Sequence, residues 1–188
     1  MKDKIISEEE YINLISEVLE DLKSLAIKTF RENSTLINDM VTLHHLIHNF
    51  KEEFKRLEWL SDACFYYALS IFFTSIGYYN VVCFTLRHGL EIVDKNTRSK
   101  KMDEVEKILY NKLYNLLSEV VHGRVEVSLE DIRDFAFVTS YLYIYMIDKY
   151  NPHLLNHLIN KGFEYDEAIQ WLTDEVAMIF EKMETYKD

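Results

Sequence analysis

The sequence predicts an all-α fold, an antiparallel helical bundle of six to eight helices, from three observations. Apolar residues recur three and four apart through nearly every segment, the period of a helix face. One Pro and four Gly in 188 residues leave little material for the turns of an all-β fold. The polar stretches between periodic segments are short, which favours antiparallel neighbours. A chain of this length buries a sizeable core as one domain, residues 1–188.

The elements follow in order. Ser7 and Glu10 have the spacing of a capping box. They open a helix to about Arg31 that sets Tyr11, Leu14, Ile15, Val18, Leu22, Leu25, Ala26 and Phe30 on one face. Ser34 caps a second helix, whose stripe runs from Ile37 through His44 and Ile47 to Leu57. Ser61 and Asp62 begin an apolar stretch that Gly77 interrupts. This gives a third helix to about Ile76 and a fourth from about Tyr79 to Asp94. A fifth spans about Lys101 to His122, with Gly123 as its C′ residue. Ser128 and Asp131 cap a sixth. Its segment Phe135–Ile147 is apolar on nearly every side, which suits the bundle centre or a subunit interface. Asn151 and Pro152 start a short helix that stops at Gly162, and Asp166 opens the last. The Ala63–Val93 pair and Phe135–Ile147 are expected at the centre.

The net charge is −11. An acidic surface opposes general adhesion to nucleic acid, so phosphate recognition needs a local basic patch. The run Lys95, Arg98, Lys100 and Lys101 is the one candidate; a solvated loop is the plainer reading. Cys64 and Cys83 lie in apolar runs and read as core packing in a reducing, cytoplasmic setting rather than a disulfide framework. No apolar signal segment opens MKDKIISEEE. Ala63 to Leu86 carries no charge over a membrane-spanning length. Its Tyr, Ser, Thr and Asn content, with Arg87 and His88 directly after it, fits a buried helix pair and no membrane association.

Two segments carry a resemblance. Gly77-Tyr78-Tyr79, followed by Leu86-Arg87 and Glu91, resembles the G-Y-x-x-A and L-R-x-x-x-E helix of the HEPN superfamily. Leu117-Ser118-Glu119-Val120-Val121-His122-Gly123 is similar to the L-S-x-x-V-H helix end of some HEPN-like branches. The resemblance covers about residues 60–150, with helical additions on both sides. It implies a helical bundle, frequent dimerisation, and roles in prokaryotic defence and RNA metabolism. Many members are metal-independent ribonucleases that use an Arg and a following His with four to six residues between them. Here Asn115, Leu116 and Leu117 occupy the positions where that Arg should stand before His122.

His122 is the residue type suited to proton transfer near neutral pH, or simply to closing a helix. Arg124 or Arg87 would supply charge to phosphate beside it. With helices four and five antiparallel across the basic connection, Arg87 is expected level with about Leu109, roughly 20 Å short of His122 at 1.5 Å per residue. Arg87 and Glu91 then form an i,i+4 pair. His44 with His48, and His153 with His157, have the spacing of paired metal ligands, and His45 adds a third imidazole. Without HExxH or a second Glu-x-x-His beside Glu119-x-x-His122, no metal site is assigned. No cofactor motif is present.

The leading expectation is a catalytically degenerate HEPN-like module. It would act as a homodimer and bind a protein partner, a nucleotide or RNA. The catalytic candidates are His122 and Arg124; the binding candidates are Arg87, Glu91, Lys95, Arg98, Lys100 and Lys101. The homodimer expectation rests on Tyr141, Tyr143 and Tyr145 in the all-round apolar helix. The alternatives are an endoribonuclease that uses His122, and a structural or viral accessory helical protein.

Overall fold

The computed structural model describes residues 7–53, 58–97, 102–150 and 165–185. Among them are seven helices and no strand: α1 (Glu8–Glu32), α2 (Ser34–Glu53), α3 (Glu58–Ser75), α4 (Tyr79–Thr97), α5 (Glu104–Val121), α6 (Leu129–Tyr150) and α7 (Tyr165–Thr185). The fold is all-α. The short helix expected over 151–162 lies outside the described residues, as does the end of the α2 stripe at Phe54 and Leu57. No described helix is long and apolar enough to cross a membrane.

Capping chemistry sets several helix ends. Glu10 N–H donates to Ser7 Oγ (3.1 Å) and Ser7 N–H to Glu10 Oε2 (2.8 Å), a reciprocal box that opens α1. Ser128 and Asp131 do the same for α6, at 2.8 and 3.2 Å. Ser34, expected as a cap, is instead the first residue of α2, because Asn33 is the only break between α1 and α2. At the end of α5, Gly123 has φ 68°; its N–H reaches Val120 O (2.9 Å), and Arg124 N–H reaches Glu119 O (2.9 Å). This paired return to the last carbonyls needs the left-handed backbone that Gly adopts without a steric penalty. Gly77 closes α3 by the same pattern on Thr74 O and Phe73 O.

α4 and α6 form the centre. α4 packs on α3, α5 and α6; α6 packs on α2, α4, α5 and α7. Side-chain pairs show the antiparallel order. Tyr141 and Tyr145 of α6 donate to Glu106 and Asp103, across from α5 (3.2 and 2.7 Å). Nearer the start of α6, Arg133 and Phe137 meet Glu175 and Trp171 of α7. Leu86, Leu90, Leu113, Leu117, Phe137 and Tyr143 are fully buried in one cluster, and each such side chain contributes about 1.5–3 kcal/mol of transfer free energy. Both cysteines are buried thiols, and Cys64 Sγ donates to Ile47 O at 3.8 Å.

α6 lies at the bundle centre, one of the two placements its all-round apolar segment suited. Tyr143 is buried in the core, and the Tyr141 and Tyr145 hydroxyls are taken up by α5 and its N-cap. Tyr143 therefore lends nothing to a dimer surface, while Tyr141 and Tyr145 are half-buried with their hydroxyls already engaged. α1, by contrast, has no buried residue. Only Leu22, Ala26 and Thr29 are half-buried, where the second half of the helix leans on α3 and α2.

Candidate functional site

The polar faces of α4 and α5 meet in a ladder with one step per helical turn. Arg87 Nη1 donates to Ser118 Oγ (3.4 Å). Tyr114 Oη donates to Glu91 Oε1 (2.8 Å), and Tyr110 hydrogen-bonds Asp94. The spacing follows from i, i+4 recurrence on both helices: Arg87 and Glu91 on one, Tyr110, Tyr114 and Ser118 on the other. Arg87 Nε stands 3.4 Å from Glu91 Oε1, and the guanidinium lies over the Tyr114 ring at 5.7 Å. The Nε is buried and makes no hydrogen bond, so its contact with Glu91 is an ion pair without donor geometry. The hydrogen bond to Glu91 raises the Tyr114 pKa, with burial adding to it; burial first, then Asp94, raises that of Tyr110.

The i,i+4 pairing of Arg87 and Glu91 is present, but the register across to α5 differs from expectation. Arg87 stands beside Ser118, not level with Leu109. α4 continues to Thr97 and α5 begins only at Glu104, so the chain reverses later than the sequence spacing suggested. Arg87 therefore comes within one helical turn, roughly 6 Å of axial rise, of the His122 position. Tyr114 and Ser118 are the partners that sequence reasoning missed. Their signal was a polar i,i+4 pair on α5 matching the one on α4.

His122 is the exposed C-cap of α5. Arg124, its candidate companion, is bound to Glu119 at 2.8 Å through Nη1. Leu117 is buried and Leu116 half-buried, so two of the three positions where an Arg would precede His122 serve the core, and the third is the exposed Asn115. A cleft of about 490 Å³ opens nearby between the α3–α4 turn (Gly77, Tyr78) and the α5–α6 loop (Gly123, Val125, Glu126). Neither His122 nor Arg124 lines it.

A second hollow, about 520 Å³, lies between α4 and α5 and is lined by Glu91, Asp94, Lys95, Tyr110, Asn111 and Tyr114. Lys95 there shares its surroundings with two carboxylates, which disfavour a phosphate. Arg98, Lys100 and Lys101 lie outside the described residues, so the basic run is not seen as a unit. His44 and His48 stack at 5.8 Å with 15° between planes, and His44 also faces Tyr67. Among the described residues no group of three His, Cys, Asp or Glu is placed to hold a metal ion. His153 and His157 lie outside them.

Chemically, cleavage of a phosphodiester needs a proton carrier and a cation converging on one phosphate. Here Arg87 is engaged by Glu91, and Arg124 by Glu119. No family model, curated protein or solved structure matches the chain.

Proposed function

We propose that this chain is a catalytically degenerate HEPN-like helical module that acts by association with other molecules rather than by cutting RNA. One observation carries the reading: each arginine near His122 is held by a carboxylate, Arg87 by Glu91 at 3.4 Å and Arg124 by Glu119 at 2.8 Å. A carboxylate beside an arginine repels an approaching phosphate and competes with it for the guanidinium. The burial of Leu117 supports the same reading, because it commits one of the three usual Arg positions to the core.

A second reading draws on the α4–α5 register. Arg87 reaches Ser118, one turn before His122, which is nearer than its sequence position suggests. An endoribonuclease would use His122 for proton transfer and Arg87 for phosphate charge.

One assay separates the two. Single-stranded and structured RNA are incubated with the protein in EDTA, alongside His122→Ala and Arg87→Ala. The association reading predicts no cleavage by any of the three. Cleavage by the parent that both variants abolish establishes the endoribonuclease. His122 is exposed, so His122→Ala changes stability by no more than about 0.5 kcal/mol, and a lost activity reports chemistry rather than unfolding.

A further inference from the structure

α1 is 25 residues long and buries none of them. Such a helix is marginal in water without a packing partner. Its own bundle supports only the second half. At 3.6 residues per turn, Tyr11, Ile12, Leu14, Ile15, Val18 and Leu19 fall on the same arc, roughly 160° wide, as Leu22, Ala26 and Thr29. The later three lean on α3 and α2. The earlier six continue that face and are 39–58% exposed. They leave open on the order of 600 Å², the upper end of the ~300–600 Å² of the largest apolar patch on a typical monomer.

The charges beside this open stretch are all of one sign. Between Ser7 and Leu22 stand Glu8, Glu9, Glu10, Glu17, Glu20 and Asp21, and no Lys or Arg. Glu10, Glu17 and Asp21 form one row along the Leu14–Val18 edge of the arc. The Glu10 carboxylate also closes the capping box with Ser7 (2.8 Å); Glu17 and Asp21 are exposed. This arrangement discriminates between occupants. A second copy of the same stretch would set carboxylate against carboxylate in either direction. The second half of α1 holds Lys23, Lys28 and Arg31, but its face already lies against α2 and α3. A lipid surface suits the stretch no better, since membrane-lying helices carry Lys and Arg on their polar face. What fits is an apolar stripe edged by cations, because paired helices combine a nonpolar seam with flanking charges of opposite sign.

We infer that residues 8–21 of α1 are a docking site for a basic amphipathic helix of another protein. That helix lies on Tyr11, Leu14, Ile15 and Val18 and sets its Lys or Arg side chains along the row of Glu10, Glu17 and Asp21. Recognition runs through apolar anchors three, four and seven residues apart, as when an amphipathic helix lays its nonpolar face on a partner. The site lies outside residues 60–150 and is distinct from the Arg87–His122 region. The inference rests on the reading of the chain as an association module and states the chemistry of its partner.

The test uses the full chain and a fluorescently labelled synthetic peptide, an amphipathic helix of Leu and Lys, read by anisotropy. A second peptide carries Glu in place of every Lys. Two double variants address the site. Leu14→Gln with Val18→Gln removes the middle of the apolar face; Glu17→Lys with Asp21→Lys reverses the row and leaves the capping box intact. All four side chains are exposed, and Gln and Lys are good helix formers, so both variants keep the fold. Glu167→Lys with Glu181→Lys, exposed on α7, controls for net charge. The Leu–Lys peptide is expected to bind the parent saturably, one per chain. Each α1 variant should weaken that binding about tenfold or more, the α7 control about twofold or less, and the Glu peptide should bind the parent about tenfold or more weakly. No saturable binding at high micromolar parent overturns the inference. So does an α7 control that weakens binding as much as the α1 row, because the attraction would then be to an acidic chain in general. A parent dimer that Leu14→Gln with Val18→Gln abolishes would give the face to a second copy and overturn the inference. Binding of the parent to vesicles of mixed zwitterionic and anionic phospholipid, lost in the same variant, would give it to lipid. The RNA assay is independent of these outcomes. A chain that neither cleaves RNA nor binds the peptide sinks the docking site alone, and one that cleaves RNA and binds the peptide sinks the degenerate reading alone.

Discussion

At Gly89 the α4 backbone passes so close to α6 that a methyl group would overlap Tyr143 Oη and stand 3.2 Å from Cζ. Tyr143 is fully buried and its hydroxyl has no hydrogen-bond partner among the described residues. Two consequences oppose each other in sign. Gly89→Ala improves helix propensity by up to about 1 kcal/mol, but overpacks a rigid ring, for a net loss of about 1–3 kcal/mol. Tyr143→Phe removes an unsatisfied buried group and leaves stability equal or up to about 1 kcal/mol higher. The double variant should recover part of the Gly89→Ala loss, because it removes the clashing oxygen. A double-mutant cycle by urea denaturation checks this; strictly additive losses would show that the two residues do not meet. Nothing in the sequence announces this contact. A glycine inside a helical pattern reads as a weak point, and only the approach of α6 explains it. Gly77 and Gly123 were legible because they stand where apolar periodicity stops, the usual place of a left-handed helix terminator.

Helices were readable from spacing, but their registers were not. The order of the elements, the α1 and α6 capping boxes and the central place of α6 all follow from local pattern. The α4–α5 register depends on where each helix stops inside a polar connection that carries no periodic signal. An error of about three residues at each end there, α4 running to Thr97 and α5 starting at Glu104, helped move Arg87 from Leu109 to Ser118. The same limit hid Arg133. Its Nε and Nη2 bind Asp39 of α2 and Glu175 of α7, each at 3.0 Å, and its guanidinium lies 4.4 Å from the Phe137 ring centroid. One side chain thus ties three helices at one end of α6, beside a Lys182–Asp134 pair at 2.7 Å. Arg133→Met should cost about 1–3 kcal/mol, since it leaves two half-buried carboxylates without their cation. Arg133→Lys should recover less than half of that, because an ammonium cannot fork between two helices. Thermal denaturation measures both; a Met variant as stable as the parent would show the network to be neutral. For α1 the amphipathic pattern was plain, but a pattern cannot say whether the partner of an apolar face lies in the same chain.

Across the whole molecule, ionisation sets the behaviour in solution. Burial, aided by Asp131, pushes the Cys83 thiol up to about 12 from an ordinary 9.0. Burial and the neighbouring Glu106 push Tyr141 up to about 12 from 10.0. Burial also raises Tyr67 and Tyr143. In each case the folded state holds its proton more tightly than the unfolded chain. The unfolded state then binds fewer protons as pH rises, and stability falls with pH. The contribution is complete below about pH 9 and is lost progressively towards about pH 12. Denaturation midpoints should drop steadily through that window, with the tyrosinate absorbance of these buried side chains appearing only as the helices melt; a flat profile to pH 11 would contradict the buried placement of these groups. The central claim concerns the region around His122, where Arg87 is paired with Glu91 and Arg124 with Glu119. Incubation of the full chain with single-stranded and structured RNA in EDTA tests it most directly. No cleavage is predicted for the parent, for His122→Ala or for Arg87→Ala. Cleavage by the parent that both variants abolish would contradict it, because the two side chains would then act together on a phosphate.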